Sequence, residues 1–161
     1  MAEAFDSEAG SLQSSSGTVQ FRFRDDEMAN HPAITVDAAL EQSNALAVRI
    51  EPGDDARLLG PMLDRLALIE VNFPSFADGH GYSAARILRE AGYEGELRAV
   101  GDVLVDQLSH MRRCGFDAFA PAQPIDEADA ERAFASWANV YQHARDTAGG
   151  ERRTIPELRH E

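Results

Sequence analysis

LALIEVNFPSFADGHGYSAARILREAGYEGELRAVGDVLVDQLSHMRRCGFDAFA, from Leu66 to Ala120, is the stretch on which the fold turns. It opens with a nearly continuous apolar run, Leu66 to Phe73, the pattern of a parallel strand covered on both faces. Pro74 ends that run. Ser83 to Ala91 then reads as a helix with Ala84, Leu88 and Ala91 on one side, Gly92 stops it, and Glu96 to Val100 is the next strand. A second unit follows at once. Asp102 is expected to cap a helix carrying Leu104, Leu108 and Met111 at helical steps, Gly115 to stop it, and Phe116 to Ala120 to form a further strand.

The same alternation extends outward. Upstream, Ala45 to Ile50 reads as a strand closed by Pro52-Gly53, and Ala33 to Asp37 as a strand or entry segment. Asp54 or Asp55 can cap a helix with Leu58, Leu59, Met62, Leu63 and Leu66 on its inner face, kinked at Pro61. Downstream, a helix from near Asp126 would turn Phe134, Trp137 and Tyr141 toward the sheet. Strands alternating with helices imply parallel pairing, because parallel neighbours need crossover connections. The expected fold class is therefore α/β, repeated βα units on a parallel sheet of four to five strands. Residues 31–146 form the single domain, too few for an eight-fold barrel of roughly 200 residues or more. An open doubly wound sheet and a half-barrel both remain. Residues 1–30 read as a disordered arm, with Phe21 and Phe23 alternating with Arg22 and Arg24 as a short edge strand, and 147–161 as a flexible tail.

Composition excludes several classes. A net charge of -13 repels phosphate backbones and anionic lipid, so neither nucleic acid nor membrane is an expected partner. All 15 basic residues are arginine, which removes lysine Schiff-base chemistry and the P-loop lysine. The single cysteine, Cys114, can form no internal disulfide and suits a reducing, cytoplasmic setting. It stands beside Arg112 and Arg113 at a helix end and reads as a small buried residue.

In parallel sheets ligands bind beyond the carboxyl ends of the strands, and the candidate residues follow from that rule. Period-two parity puts Glu70 and Asn72 on one face of their strand, and Arg98 at a matching position on the next, so Glu70 and Arg98 are expected to pair. The turn Asp78-Gly79-His80-Gly81-Tyr82-Ser83 leads into a helix, with glycines freeing the backbone and Ser83 as the expected cap. Free N–H groups at such a helix start, with Arg86 one turn on, suit a small anion. Gly101-Asp102 repeats the design, with Asp106 and Gln107 in the first turns of its helix. Asp78, Asp102 and Asp106 lack a diagnostic metal spacing, and no metal is assigned. His80 and Asp106 are the candidates for acid or base work, whereas Ser83 lacks a nucleophile-elbow sequence.

FPSFADGHGYSAARILREAGYEGELRAVGDVLVDQ and RCGFDAF closely resemble a family of small bacterial proteins encoded beside a sirohaem-type sulfite reductase and described as oxidoreductases of sulfite reduction. Asp78, Gly79, Gly81, Tyr82, Ser83, Arg86, Arg98, Gly101, Asp106 and Gln107 match the family pattern, which carries arginine where this chain has His80. The resemblance implies work near assimilatory sulfite reduction. One thiol cannot form a redox dithiol pair, so electron transfer would require a bound flavin or a partner reductase.

The leading expectation is thus an accessory protein that binds a small anionic ligand at Gly79 to Ser83, with Arg86 and Arg98 supplying charge and Glu70 and Asp102 orientation. The alternatives are an enzyme using His80 or Asp106, and an interaction module for sulfite reductase, or a homodimer that closes the sheet.

Overall fold

The computed structural model describes residues 18–75, 77 and 79–137. Expectations placed on residues 1–17, Asp78, Tyr141 and the tail from 147 lie outside those residues, as does the side chain of Trp137.

Six strands form one sheet: β1 (Phe21–Arg22), β2 (Ile34–Thr35), β3 (Ala47–Ile50), β4 (Leu68–Phe73), β5 (Glu96–Gly101) and β6 (Ala118–Pro121). Their spatial order is β1-β6-β5-β4-β3-β2. β2 through β6 are parallel and sit beside one another in chain order, while β1 adds antiparallel outside β6. Such an order never reverses, so there is no topological switch point, and right-handed crossovers place every helix on the same side. Of the two arrangements compatible with the sequence, this is the singly wound, half-barrel-like one.

The helices are α1 (Val36–Glu41), α2 (His80–Glu90), α3 (Leu108–Cys114) and α4 (Glu127–Trp137), with 3-10 turns at Ala56–Met62 and Val105–Gln107. Their inner faces meet the odd-numbered face of β4 and β5 in a core built from Leu59, Leu88, Leu108 and Met111 against Ile69, Val71, Phe73, Leu97, Ala99 and Phe119. Each large side chain removed from water there contributes about 1.5–3 kcal/mol. Among the described residues no helix is long and apolar enough to cross a membrane.

Four local expectations are corrected. The segment with Pro61 is a 3-10 turn, and Ala56, Leu59 and Met62 are buried at the three-residue step of that geometry. Gly60 and Pro61 explain this, since one is a weak helix former and the other lacks an amide donor. α2 starts at His80 with Gly79 at the cap position, so Ser83 lies inside the helix and is not its cap. Gly81 permits the early start, because any Cβ there would collide with the Phe73 ring. Leu104, not Asp102, holds the cap position of the 3-10 turn that leads into α3, and the Asp102 N–H donates to the Phe73 carbonyl at 2.7 Å. Of the run Ala33 to Asp37, Ile34–Thr35 is a strand as expected, but Thr35 also caps α1, its Oγ1 accepting the Ala38 N–H at 3.1 Å, so Val36 and Asp37 belong to a helix.

Residues 18–30, read above as part of a disordered arm, are engaged with the sheet from residue 20 onward. β1 holds one edge, where the rings of Phe21 and Phe23 pack on Phe134, and that of Phe23 also on Phe119. The chain then has to reach β2 at the opposite edge. It does so over the face away from the helices, where the Ala29 carbonyl accepts a bond from Arg98 at 3.3 Å.

Candidate functional site

The polar residues of the central strands form a ladder across that strapped face. Strand register aligns Thr35, Arg49, Glu70, Arg98, Ala118 and Arg22 in one row. Arg49 binds Glu70 at 2.9 Å, and Arg98 reaches Glu70 at 3.4 Å. The stronger attachment of Arg98 is to Glu96, through two bonds of 2.7 and 3.0 Å, and Arg22 closes on Glu96 from the other side at 3.1 Å. The expected contact between Glu70 and Arg98 is therefore present, but as one rung of a larger set.

A second group stands at the carboxyl ends of β3 and β4. Ile50, Glu51, Asp54, Asn72, His80 and Gly81 line a shallow, solvent-open pocket with an enclosed volume of about 10 Å³. Asn72 Nδ2 donates to Glu51 Oε1 at 2.8 Å, and Asp54 Oδ2 accepts the Glu51 N–H at 2.8 Å. Its rim is thus carboxylate-rich, with His80 on the helix side. Gly101, the last residue of β5, has φ of 99°, and a Cβ there would meet the Phe73 carbonyl and Asn72 Oδ1. This glycine lets β5 turn tightly against β4.

The outer side of α2 differs in charge. Tyr82 stacks on His110 of α3, ring centres 4.8 Å apart, and His110 Nε2 lies 3.9 Å from the Cys114 sulfur. Arg86, one turn beyond Tyr82 and exposed, is held above its ordinary pKa chiefly by the neighbouring Cys114 sulfur. Burial and the positive fields of Arg113 and Arg86 hold the His110 imidazole below its ordinary pKa. Burial pushes the Tyr82 phenol up, with Cys114 and Asp106 adding to the effect.

The candidate residues therefore separate into three places. Glu70 and Arg98 belong to the ladder, and the arm lies over them. Asn72, His80 and Gly81 meet at the mouth. Tyr82 and Arg86 face α3, with Asp106 close enough to act on Tyr82. Arg86 and Arg98 do not converge on the Gly79 to Ser83 turn, because α2 covers one face of the sheet and Arg98 extends from the other. Gln107 turns back on its own segment, its Oε1 accepting the Leu104 N–H at 3.0 Å.

Glu51 and His110 are not among the residues singled out from the sequence, and Asp54 is there only as a possible helix cap. Glu51 immediately follows a strand, so the carboxyl-end rule could have found it; His110 carries no local signal, since its neighbours come from another helix.

A family of bacterial proteins of unknown function, DUF934, matches residues 47–150, and the chain belongs to it. The matched region begins at β3 and runs through β6 and α4, so β1, the crossing arm and β2 lie outside it. No curated protein and no solved structure matches the chain.

Proposed function

We propose that the protein is an accessory component of assimilatory sulfite reduction that binds a small anion where α2 leaves the sheet. The observation that carries this reading is the placement of α2. Its first turn stands past the carboxyl end of β4, where parallel sheets present ligand sites, and Arg86 follows at the surface. Backbone donors and the positive end of an 11-residue helix favour negative charge there. The link to sulfite rests on the resemblance carried by Phe73 to Phe119. Chemistry supports an accessory role: a lone buried thiol has no partner for a dithiol couple, so electron transfer would require a bound flavin or a partner reductase.

Growth of a strain lacking the gene tests this. Slow growth on sulfate, restored by sulfide, is expected; equal growth on both sources would remove the sulfite-reduction role. Sulfite should also raise the melting temperature of the native protein, by an amount that shrinks in Arg86→Ala.

A second reading is an acid/base enzyme, favoured by the gathering of Glu51, Asp54, Asn72 and His80 in one pocket. Asp106 lies on the Tyr82 side, so in this reading His80 is the proton carrier and Glu51 its neighbouring carboxylate. Turnover unaffected by His80→Gln would exclude it.

A further inference from the structure

We propose that Arg22 and Arg24 form a binding site for a compact oxyanion, that the Asp26 carboxylate is its internal occupant, and that an anion taking the place of Asp26 releases residues 25–33 from the sheet. The site stands at the amino end of the sheet, beside Glu94 and Asp117, whereas α2 starts past the carboxyl end of β4. It therefore goes beyond the function proposed above and does not depend on it.

The two guanidinium groups are positioned from beneath. Arg22 Nε donates to Glu96 at 3.1 Å and Arg24 Nη1 to Asp117 at 2.8 Å, and both carboxylates are buried. Phe23, between them, is fixed by the Arg112 guanidinium, 4.3 Å from its ring centre, and by the rings of Phe119 and Phe134. None of these contacts involves residues 25–33, so both arginines keep their places when that segment leaves. Their other donors converge on Asp26. Its Oδ1 accepts from Arg22 Nη2 at 2.8 Å and from Arg24 Nε at 2.9 Å, and its Oδ2 accepts from Arg24 Nη2 at 2.7 Å. Forked N–H donors of this kind bind the oxygens of carboxylate, sulfate or phosphate. The Asp26 side chain is 55% exposed, against 16% and 12% for Arg22 and Arg24, so the occupied position is open to solvent.

The segment that Asp26 holds has little else to keep it in place. Among the described residues, none from 25 to 32 makes a backbone-to-backbone hydrogen bond, and none from 25 to 33 packs against the core. Of residues 25–32 only Ala29 is half-buried and the rest are exposed. Their remaining bonds also come from guanidinium groups, from Arg22 to the Asp26 and Glu27 carbonyls at 2.6 and 3.1 Å and from Arg98 to the Ala29 carbonyl at 3.3 Å. An oxyanion competes for the same donors. Ordering each of these residues costs conformational entropy, which is regained once Asp26 is displaced. Release opens the face on which Glu70, Glu96 and Arg98 are buried. Asp25 and Glu27 flank the site as exposed carboxylates and repel extended polyanions, which leaves a compact anion, with inorganic sulfate as the probe.

NMR of the full-length protein, in sodium sulfate and in sodium chloride at equal ionic strength, tests binding and release together. Sulfate should shift the Nε–H signals of Arg22 and Arg24 and lower the heteronuclear NOE of residues 25–33, with the amides of β4 and β5 unmoved. In Asp26→Asn the segment should already be mobile in chloride, and sulfate should bind on the order of tenfold more tightly, because its internal competitor is weakened. Asp26 is exposed, so the variant is expected to fold, and its β4 and β5 amide signals check this. Arginine signals that ignore sulfate would overturn the site, and shifts confined to the amides of Gly79 to Ser83 would place the anion at α2 instead. Arginine shifts with residues 25–33 equally rigid in both salts would contradict the release. Binding to Asp26→Asn no tighter than to the parent would mean that Asp26 is not the competitor, and the proposal would fall.

Discussion

Glu70 and Arg98 stand directly opposite each other on β4 and β5, yet their 3.4 Å contact is the longest ion pair either of them makes. Arg49 binds Glu70 at 2.9 Å, and Glu96 binds Arg98 at 2.7 Å. Ala118, the residue opposite Arg98 on β6, leaves space through which Arg22 reaches Glu96 from the edge strand. The result is a run of alternating charge beneath the N-terminal arm, with Glu70 and Glu96 each 2% exposed. Buried ion pairs add little net stability while complete, but breaking one leaves a charge without compensation.

Glu70→Gln is therefore expected to destabilise the fold by about 3–5 kcal/mol, because Arg49 and Arg98 would both lose their shared carboxylate. Urea unfolding measures this. A change within about 0.5 kcal/mol, the usual range for surface substitutions, would contradict the ladder. Arg98→Ala should behave similarly, so a loss of ligand response in that variant would report on the fold and not on a ligand contact.

Arg24 ties the arm to the amino end of the sheet. It binds Asp117 at 2.8 Å and Asp26 at 2.7 Å, and donates to the Glu94 carbonyl at 3.1 Å. Arg89 holds Asp117 from the other side at 3.0 Å and the Leu97 N–H donates to it at 2.9 Å, so Arg24→Ala leaves that buried carboxylate one of its two guanidinium partners. Limited proteolysis should then cut within residues 23–33 much faster than in the parent, ahead of any cleavage in β3 to β6. A cleavage pattern identical to the parent's would mean that the arm is held by other contacts.

The glycines of the α2 and β5 turns should respond differently to alanine. Gly79 has φ of -94° and no atom within 4 Å of a Cβ, so Gly79→Ala leaves the melting temperature nearly unchanged. Gly81→Ala drives a methyl into the Phe73 ring, an overpacking cost of roughly 1–3 kcal/mol. Gly101→Ala adds a positive φ to a backbone collision and should be at least as damaging. Thermal denaturation of the three variants checks the order, and a Gly79→Ala as unstable as Gly81→Ala would be incompatible with it.

Asp26 supplies a pH signature for the arm. Hydrogen bonding from Arg24 lowers its pKa to about 2, against a weaker opposing effect of burial. A carboxyl depressed in the folded state contributes stability above its unfolded pKa and loses that contribution as the pH falls through the folded value. The window therefore lies between the ordinary carboxylate range and about pH 2, and because Asp26 is half-exposed its energetic weight is small. Side-chain NMR should find Asp26 titrating near 2 in the parent and back in the ordinary range in Arg24→Ala; an ordinary value in the parent would refute the contact.

The legible and illegible parts of the site divide by distance along the chain. The pairing of Glu70 with Arg98 could be read from strand parity, since side chains alternate strictly along each strand. The start of α2 could not, because Gly81 matters through contact with Phe73, a residue of the preceding strand that only packing brings beneath it. Arg86 was recognisable as a cation near a helix start, but its companions His110 and Cys114 belong to the next βα unit. In the arm, the alternation of Phe21 to Arg24 makes the edge strand legible, but the engagement of the residues that follow is not legible, because their composition is polar and partners such as Glu94, Ala29's donor Arg98 and Asp117 lie 69 to 93 residues away.

What the sequence determined by itself was the α/β class, the alternation of strands and helices from Ala45 to Phe134, and the helix stops at Gly92 and Gly115. These follow from local periodicity and backbone preference, which act over a few residues. Tertiary structure alone decided the chain-ordered sheet, the helices on one face with a charged, strapped face behind them, and the meeting of α2 with α3. A repeating pattern specifies which side of each element is apolar but not which element will cover it; that choice comes from the summed packing of residues far apart in the chain.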